Sequence, residues 1–165
     1  MAITIIVFAT VGPLTLAAKS LAESQYVRDQ ITAFYLAQET LEIVRHTRDV
    51  NPGIAFRTIP MIAPCVNNQK CDVNVADLTI KPYTTILPTP LRMVNNDASS
   101  LGVKGILYEP DFSSSSVIPQ SKFTRWLTIS TVPSNLAESR IVATVEWNNG
   151  LNRRRLVLEE SLFDL

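Results

Sequence analysis

The sequence predicts an α+β fold, a long N-terminal helix packed on a C-terminal antiparallel β-sheet. Three observations carry that prediction. Ala2 to Ala18 contains no charged residue. Lys19 to Asp49 then mixes charged and apolar positions at helical spacing. From Lys122 onward, apolar and polar residues alternate as they do in half-buried strands.

The uncharged start is oily on every side, so it belongs in a bilayer or inside a protein assembly. Its apolar residues are Ile3, Ile5, Ile6, Val7, Phe8, Val11, Leu14 and Leu16, with Pro13 among them. Small residues at Ala9, Gly12, Ala17 and Ala18 permit close approach of another helix. At about 1.5 Å rise per residue, this stretch is at the short end of what crosses a membrane. Pro13 also interrupts it, having no N–H for the Ala9 carbonyl and a ring that crowds that turn. A secretory signal would carry a basic n-region, and Met1 is instead followed by Ala2 and Ile3.

The second half of the helix is one-sided. Val27, Ile31, Phe34, Leu41 and Val44 recur at three-, four- and seven-residue steps, with Ala37 filling the gap, and predict a stripe that packs on a sheet. Glu42–Arg45 and Arg45–Asp49 are spaced for intrahelical ion pairs of a few tenths of a kcal/mol each. The helix is expected to end near Asn51-Pro52-Gly53, because Pro52 disfavours helical geometry at Asn51 and Gly53 suits a turn. A helix from Ala2 to Val50 would be about 70 Å long.

Residues 51–121 read as an irregular loop region. Short apolar pieces, Val73 to Ile80 and Gly105 to Tyr108, are separated by proline-containing loops, and Ser113 to Ser116 reads as a surface loop. Cys65 and Cys71 are the only cysteines. Paired, they would close a small loop contributing about 2 kcal/mol, and such a bond fits an extracytoplasmic location. A metal site would need more ligands nearby, and the single histidine, His46, lies on the helix.

Clarity returns at Lys122. Phe123, Arg125, Leu127 and Ile129 share one face of a strand, and Thr124, Trp126 and Thr128 share the other. Ile141, Ala143, Val145 and Trp147 line one face of the next strand. A connector, Asn148 to Asn152 with an Asn-Gly step, leads to a third. These are three antiparallel strands in a meander, with one sheet face for the helix. The chain therefore divides into an apolar helix half (1–20) and a globular part (21–165) made of the amphipathic helix half (21–50), the loop region (51–121) and the meander (122–165).

Composition narrows the function. A formal charge of +0 lacks the basic footprint of a nucleic-acid binder, and Arg153 to Arg155 read as a solvated strand end. No cofactor is implied, and the five glycines form no phosphate loop. Glu39 and Glu42 read as ion-pair or capping partners, His46 as a surface residue, and no nucleophile has a recognisable setting, so the chain reads as no enzyme.

One pattern goes further. Ala33, Tyr35, Leu36, Ala37, Gln38, Glu39, Glu42, Arg45, Arg48, Asp49 and Asn51 form A-x-Y-L-A-Q-E-x-x-E-x-x-R-x-x-R-D-x-N. Together with the proline-interrupted apolar helix, it resembles the type IV pilins and pseudopilins, in particular the ends of minor-pilin helices. Phe123, Arg125 and Ile129, then Val145 and Trp147, match the family's closing strands. The resemblance covers the helix and about the last forty residues.

It implies a pilin-like fold and a structural subunit of a type IV pilus, type II secretion pseudopilus or competence filament. Such a subunit is held in the cytoplasmic membrane by a single pass, with its globular domain extracytoplasmic, and then enters a cell-surface or periplasmic filament. Its partners would be other pilin or pseudopilin subunits and the pilus or secretion assembly machinery. Gly12-Pro13 would either let the helix bend in the filament or be a tolerated membrane kink. The family's leader and Gly-Phe-Thr-Leu-x-Glu junction do not occur in this sequence, so Met1 is expected to be internal to a longer precursor. The alternative is a membrane-anchored extracellular module that binds a ligand with residues 54–121; an anchored enzyme ranks behind both.

Overall fold

The computed structural model describes residues 2–75, 78–83, 90–96, 105–110, 120–150 and 152–164. Two compact units divide the chain, Met1–Thr32 and Ala33–Leu165. Along the helix, a recurrent buried face begins at Ala33.

Helix α1 (Ala2–Asp49) runs through Pro13 without a break. Next to the proline, the Thr15 hydroxyl donates to the Gly12 carbonyl at 2.8 Å, the local back-bonding that hydroxyl residues make in helices. The C-terminus behaves as the sequence predicts. The Asn51 side chain donates to the Thr47 carbonyl at 2.7 Å, and Gly53 takes φ +79°, where a side chain would be strained.

Within the second unit, the buried face of α1 differs from the predicted stripe. Leu41 and Val44 are buried, but Phe34 is 40% exposed. In the first unit Val27 and Ile31 are each half exposed. In the second unit, the buried residues of α1 are Ala33, Leu36, Ala37, Thr40, Leu41, Ile43, Val44 and Thr47. Small side chains at Ala33, Ala37 and Thr40 make the stripe, and a search for large apolar residues passes over them. The buried hydroxyls of Thr40 and Thr47 donate to the carbonyls of Leu36 (2.9 Å) and Ile43 (2.8 Å), so their burial leaves no donor unmet. The ion pairs also rearrange. Glu42–Arg45 forms at 2.5 Å, but Arg45 turns its Nε to Glu160 at 2.7 Å, and Asp49 pairs with Arg48.

The middle of the chain is more ordered than its sequence suggests. Two 3-10 turns, Phe56–Thr58 and Ala63–Cys65, help bury Phe56, Ile59, Ile62 and Cys65. Strands β1 (Cys71–Asn74) and β2 (Thr79–Pro82) form a hairpin, and β3 (Pro90–Asn96) pairs with β4 (Gly105–Glu109). Four strands thus occupy the region expected to be irregular. Each is short, and β1 and β3 gain their place by pairing with a strand far away in sequence, which local periodicity does not reveal. Ser113 to Ser116 lie outside the described residues.

The meander is as predicted: β5 (Gln120–Val132), β6 (Asn135–Asn149) and β7 (Asn152–Phe163), antiparallel throughout. The turn between the last two follows the pair Asn149↔Asn152, with Gly150 at φ +62°. The described strands form one seven-stranded sheet. β6 pairs along one side of β5, β1 and β3 share the other, and β7 pairs with β6. One face buries Phe123, Arg125, Leu127 and Ile129 beside Ile141, Ala143, Val145 and Trp147. The architecture is α+β, a long helix and an antiparallel sheet.

Candidate assembly surface and buried ionic anchor

The first unit presents apolar side chains to solvent. Val11 is 50% exposed, Leu14 71% and Leu16 70%, followed by Leu21, Val27 and Ile31. The side chains of Ile3, Ile5, Ile6, Val7 and Phe8 lie outside the described residues; Pro13 sits inside the helix. Among the described residues, no helix is long and apolar enough to cross a membrane. Exposed apolar side chains on successive turns are unfavourable in water, and burial against lipid or protein removes that penalty.

In the second unit, the residue that breaks the apolar rule is Arg125. Strand alternation points it to the same face as Phe123, Leu127 and Ile129, and it is fully buried. A buried guanidinium is tolerated only where its charge is matched and its donors are used. Nη1 donates to Glu39 of α1 at 2.8 Å, and Nη2 donates to the Val73 carbonyl of β1 at 2.5 Å. Nε makes no hydrogen bond and is matched by charge alone, 3.6 Å from Asp72, which is itself buried. Asp72 accepts from the Val73 N–H at 2.7 Å and from the Tyr83 hydroxyl at 2.8 Å. One side chain thus ties the helix, the β1–β2 hairpin and the sheet together.

The Cys65–Cys71 disulfide sets up this arrangement. The two Cα atoms are 5.7 Å apart and both residues are fully buried. Between them, Asn67 and Asn68 adopt positive φ (66° and 62°), which asparagine tolerates better than most residues. The Asn68 N–H donates to the Ile129 carbonyl at 3.1 Å. Cys71 lies opposite Leu127 on β5, so the covalent loop delivers the next residue, Asp72, to Arg125.

Burial raises the Glu39 carboxyl above its ordinary value, against the charge and hydrogen bond of Arg125. Asp72 shifts the same way, burial outweighing Arg125, Tyr83 and the Val73 N–H. The Tyr83 phenol is also pushed up, first by burial and then by the charge of Asp72. A carboxyl with a raised folded pKa holds its proton more tightly when folded. It therefore adds stability at low pH, and that stability is lost as pH rises through the raised value. Wild type is expected to lose stability relative to Glu39→Gln as pH climbs above Glu39's ordinary 4.5. Urea unfolding of both proteins across that range checks this. A wild type that gains on the variant as pH rises would contradict it.

The opposite sheet face carries a shallow groove of about 590 Å³. Trp126, Thr124, Thr128 and Thr144 line it together with the basic residues Lys70, Arg153 and Arg155. Lys70 Nζ lies 4.8 Å from the centre of the Trp126 ring, and Arg153 pairs with Glu146. Two of the three arginines read as a solvated strand end therefore share a groove with a lysine from another part of the chain.

Sequence reasoning placed Arg125 on one strand face with Phe123, Leu127 and Ile129 but did not say that this face is buried and assigned Arg125 no role, and it missed Asp72 and Tyr83. The available signal was a charge at an inward position of an otherwise apolar alternation. Among the described residues, no three His, Cys, Asp or Glu side chains gather as a metal site. Comparison of the chain with family models, curated proteins and solved structures finds no match.

Proposed function

We propose that the chain is a structural subunit, a minor pilin or pseudopilin, of a type IV pilus, type II secretion pseudopilus or competence filament. The observation that carries this reading is the run of exposed apolar side chains from Val11 to Ile31. Lipid covers them before assembly, and the equivalent helices of neighbouring subunits cover them afterwards. Lipid tails and a protein core are similarly apolar, so the transfer needs no large driving force. The motif at Ala33 to Asn51 supports the same reading, as does the disulfide, which suits an extracytoplasmic domain. The partners are sibling subunits, the cytoplasmic membrane and the assembly machinery.

A second reading, a membrane-anchored module that binds a ligand, is favoured by the groove around Trp126. Cysteines introduced together at Val11 and Leu14 separate the two. In a filament they form cross-linked ladders of many subunits in sheared surface material. Monomers alone in that material would sink the filament reading and favour the anchored module.

A further inference from the structure

Strand β7 is an edge: among the described residues it pairs only with β6. An unpaired edge is a template for another strand, and natural sheets usually blunt it. This edge carries an unusual sequence. Arg154-Arg155-Leu156-Val157-Leu158-Glu159-Glu160 is a palindrome about Val157 in which charge reverses sign across the centre.

From this pattern we infer that two copies of the chain join edge to edge through antiparallel β7 strands, on a two-fold axis through Val157. Opposing residues in an antiparallel pair share a sheet face, so a two-fold axis perpendicular to the sheet can centre on a residue. Centred on Val157, the register sets Leu156 opposite Leu158, Arg155 opposite Glu159 and Arg154 opposite Glu160. The existing pairing with β6 puts Arg155, Val157 and Glu159 on the groove face and Arg154 and Glu160 on the helix face. Opposite charges therefore meet on both faces. Two such pairs, each repeated by the axis, make four.

The local surroundings fit a second copy. Val157 is 44% exposed, and Leu156 and Leu158 are half-buried. A cavity of about 340 Å³ beside this edge is lined by Phe34, Leu41 and Leu158 among others. In the proposed register Leu156 of the second copy stands opposite Leu158, next to that cavity and the exposed Phe34 ring. Glu159 and Glu160 already pair with Arg140 (2.8 Å) and Arg45 (2.7 Å), in each case through Oε1. A carboxylate accepts at both oxygens, so both pairs can persist in the dimer. The Arg140–Glu159 pair is exposed on both sides, and such a pair also exchanges at small cost.

The test uses the full chain in detergent. Val157→Cys places identical residues opposite each other within disulfide reach and is expected to form an oxidised dimer on a non-reducing gel. Ser161→Cys, set opposite Arg153 and not itself, is expected to link far less. Arg155→Glu puts like charges across the axis and is expected to weaken dimerisation about tenfold by sedimentation. Adding Glu159→Arg restores the palindrome with its signs exchanged, and with it the dimer. Equal linking at positions 157 and 161, or a double variant as weak as the single one, overturns the proposal. The charge exchange changes no residue of α1, so this result is separate from the fate of the filament reading.

Discussion

Arg125→Ala is expected to destabilise the Ala33–Leu165 unit by about 3–5 kcal/mol, the range for breaking one side of a buried ion pair. The substitution removes the cation from beside the buried Asp72 carboxylate. It also takes the donor from the Val73 carbonyl and the partner from Glu39. The remaining Tyr83 hydroxyl and Val73 N–H stabilise Asp72 only in part. A triple variant, Arg125→Met with Glu39→Gln and Asp72→Asn, removes all three charges together. It is expected to recover most of the loss, because apolar replacement of a whole buried ionic cluster is often near neutral. Urea unfolding followed by the fluorescence of Trp126 and Trp147, both buried, reads the effect. A loss under about 1 kcal/mol for Arg125→Ala would mean that water reaches the site and that the network does not hold the helix to the sheet.

The second large effect concerns Leu14. Its side chain is 71% exposed, so Leu14→Asp is expected to leave the unfolding of the Ala33–Leu165 unit unchanged. Within a bilayer, the same carboxylate costs about 2.5–3.5 kcal/mol near the centre of a span. In a filament core it would face apolar neighbours with no counter-charge. The expected outcome is a folded protein that is depleted from membranes and absent from filaments. Retention in both fractions at wild-type levels would count against the proposed role of the apolar helix. An altered unfolding midpoint would show instead that Leu14 serves the chain's own fold.

How much of this was legible from sequence differs by element. The meander was readable because each long strand repeats its in-and-out alternation several times, and the Asn-Gly step marks the turn. The helix was readable as an element, but its buried face was only half right. Burial in a helix depends on which side meets the sheet, and here Ala33, Ala37 and Thr40 let the helix approach where larger residues would hold it off. The four short strands between residues 71 and 109 were not readable. β1 and β3 take their place by pairing with β5, far along the chain, and β2 and β4 pair in turn with them, while segments of four to seven residues carry too few positions for a period to show.

The candidate sites divide in the same way. The Cys65–Cys71 bond followed from two cysteines and a short spacing. The Arg125 cluster did not, because its members Glu39, Asp72, Tyr83 and Arg125 come from four separate segments that nothing local connects.

By itself, the sequence determined the uncharged opening of the helix, its end at Asn51-Pro52-Gly53, the meander and the charge-inverted order of residues along β7. Each of these is set by neighbours within a few positions, where covalent geometry and side-chain alternation act directly. Only the tertiary structure decided which helix face is buried, that Arg125 is held between two carboxylates, and that β7 lies at an edge of the described sheet. Those outcomes depend on contacts between distant segments, whose free energy exists only once the chain has closed the loops that bring them together.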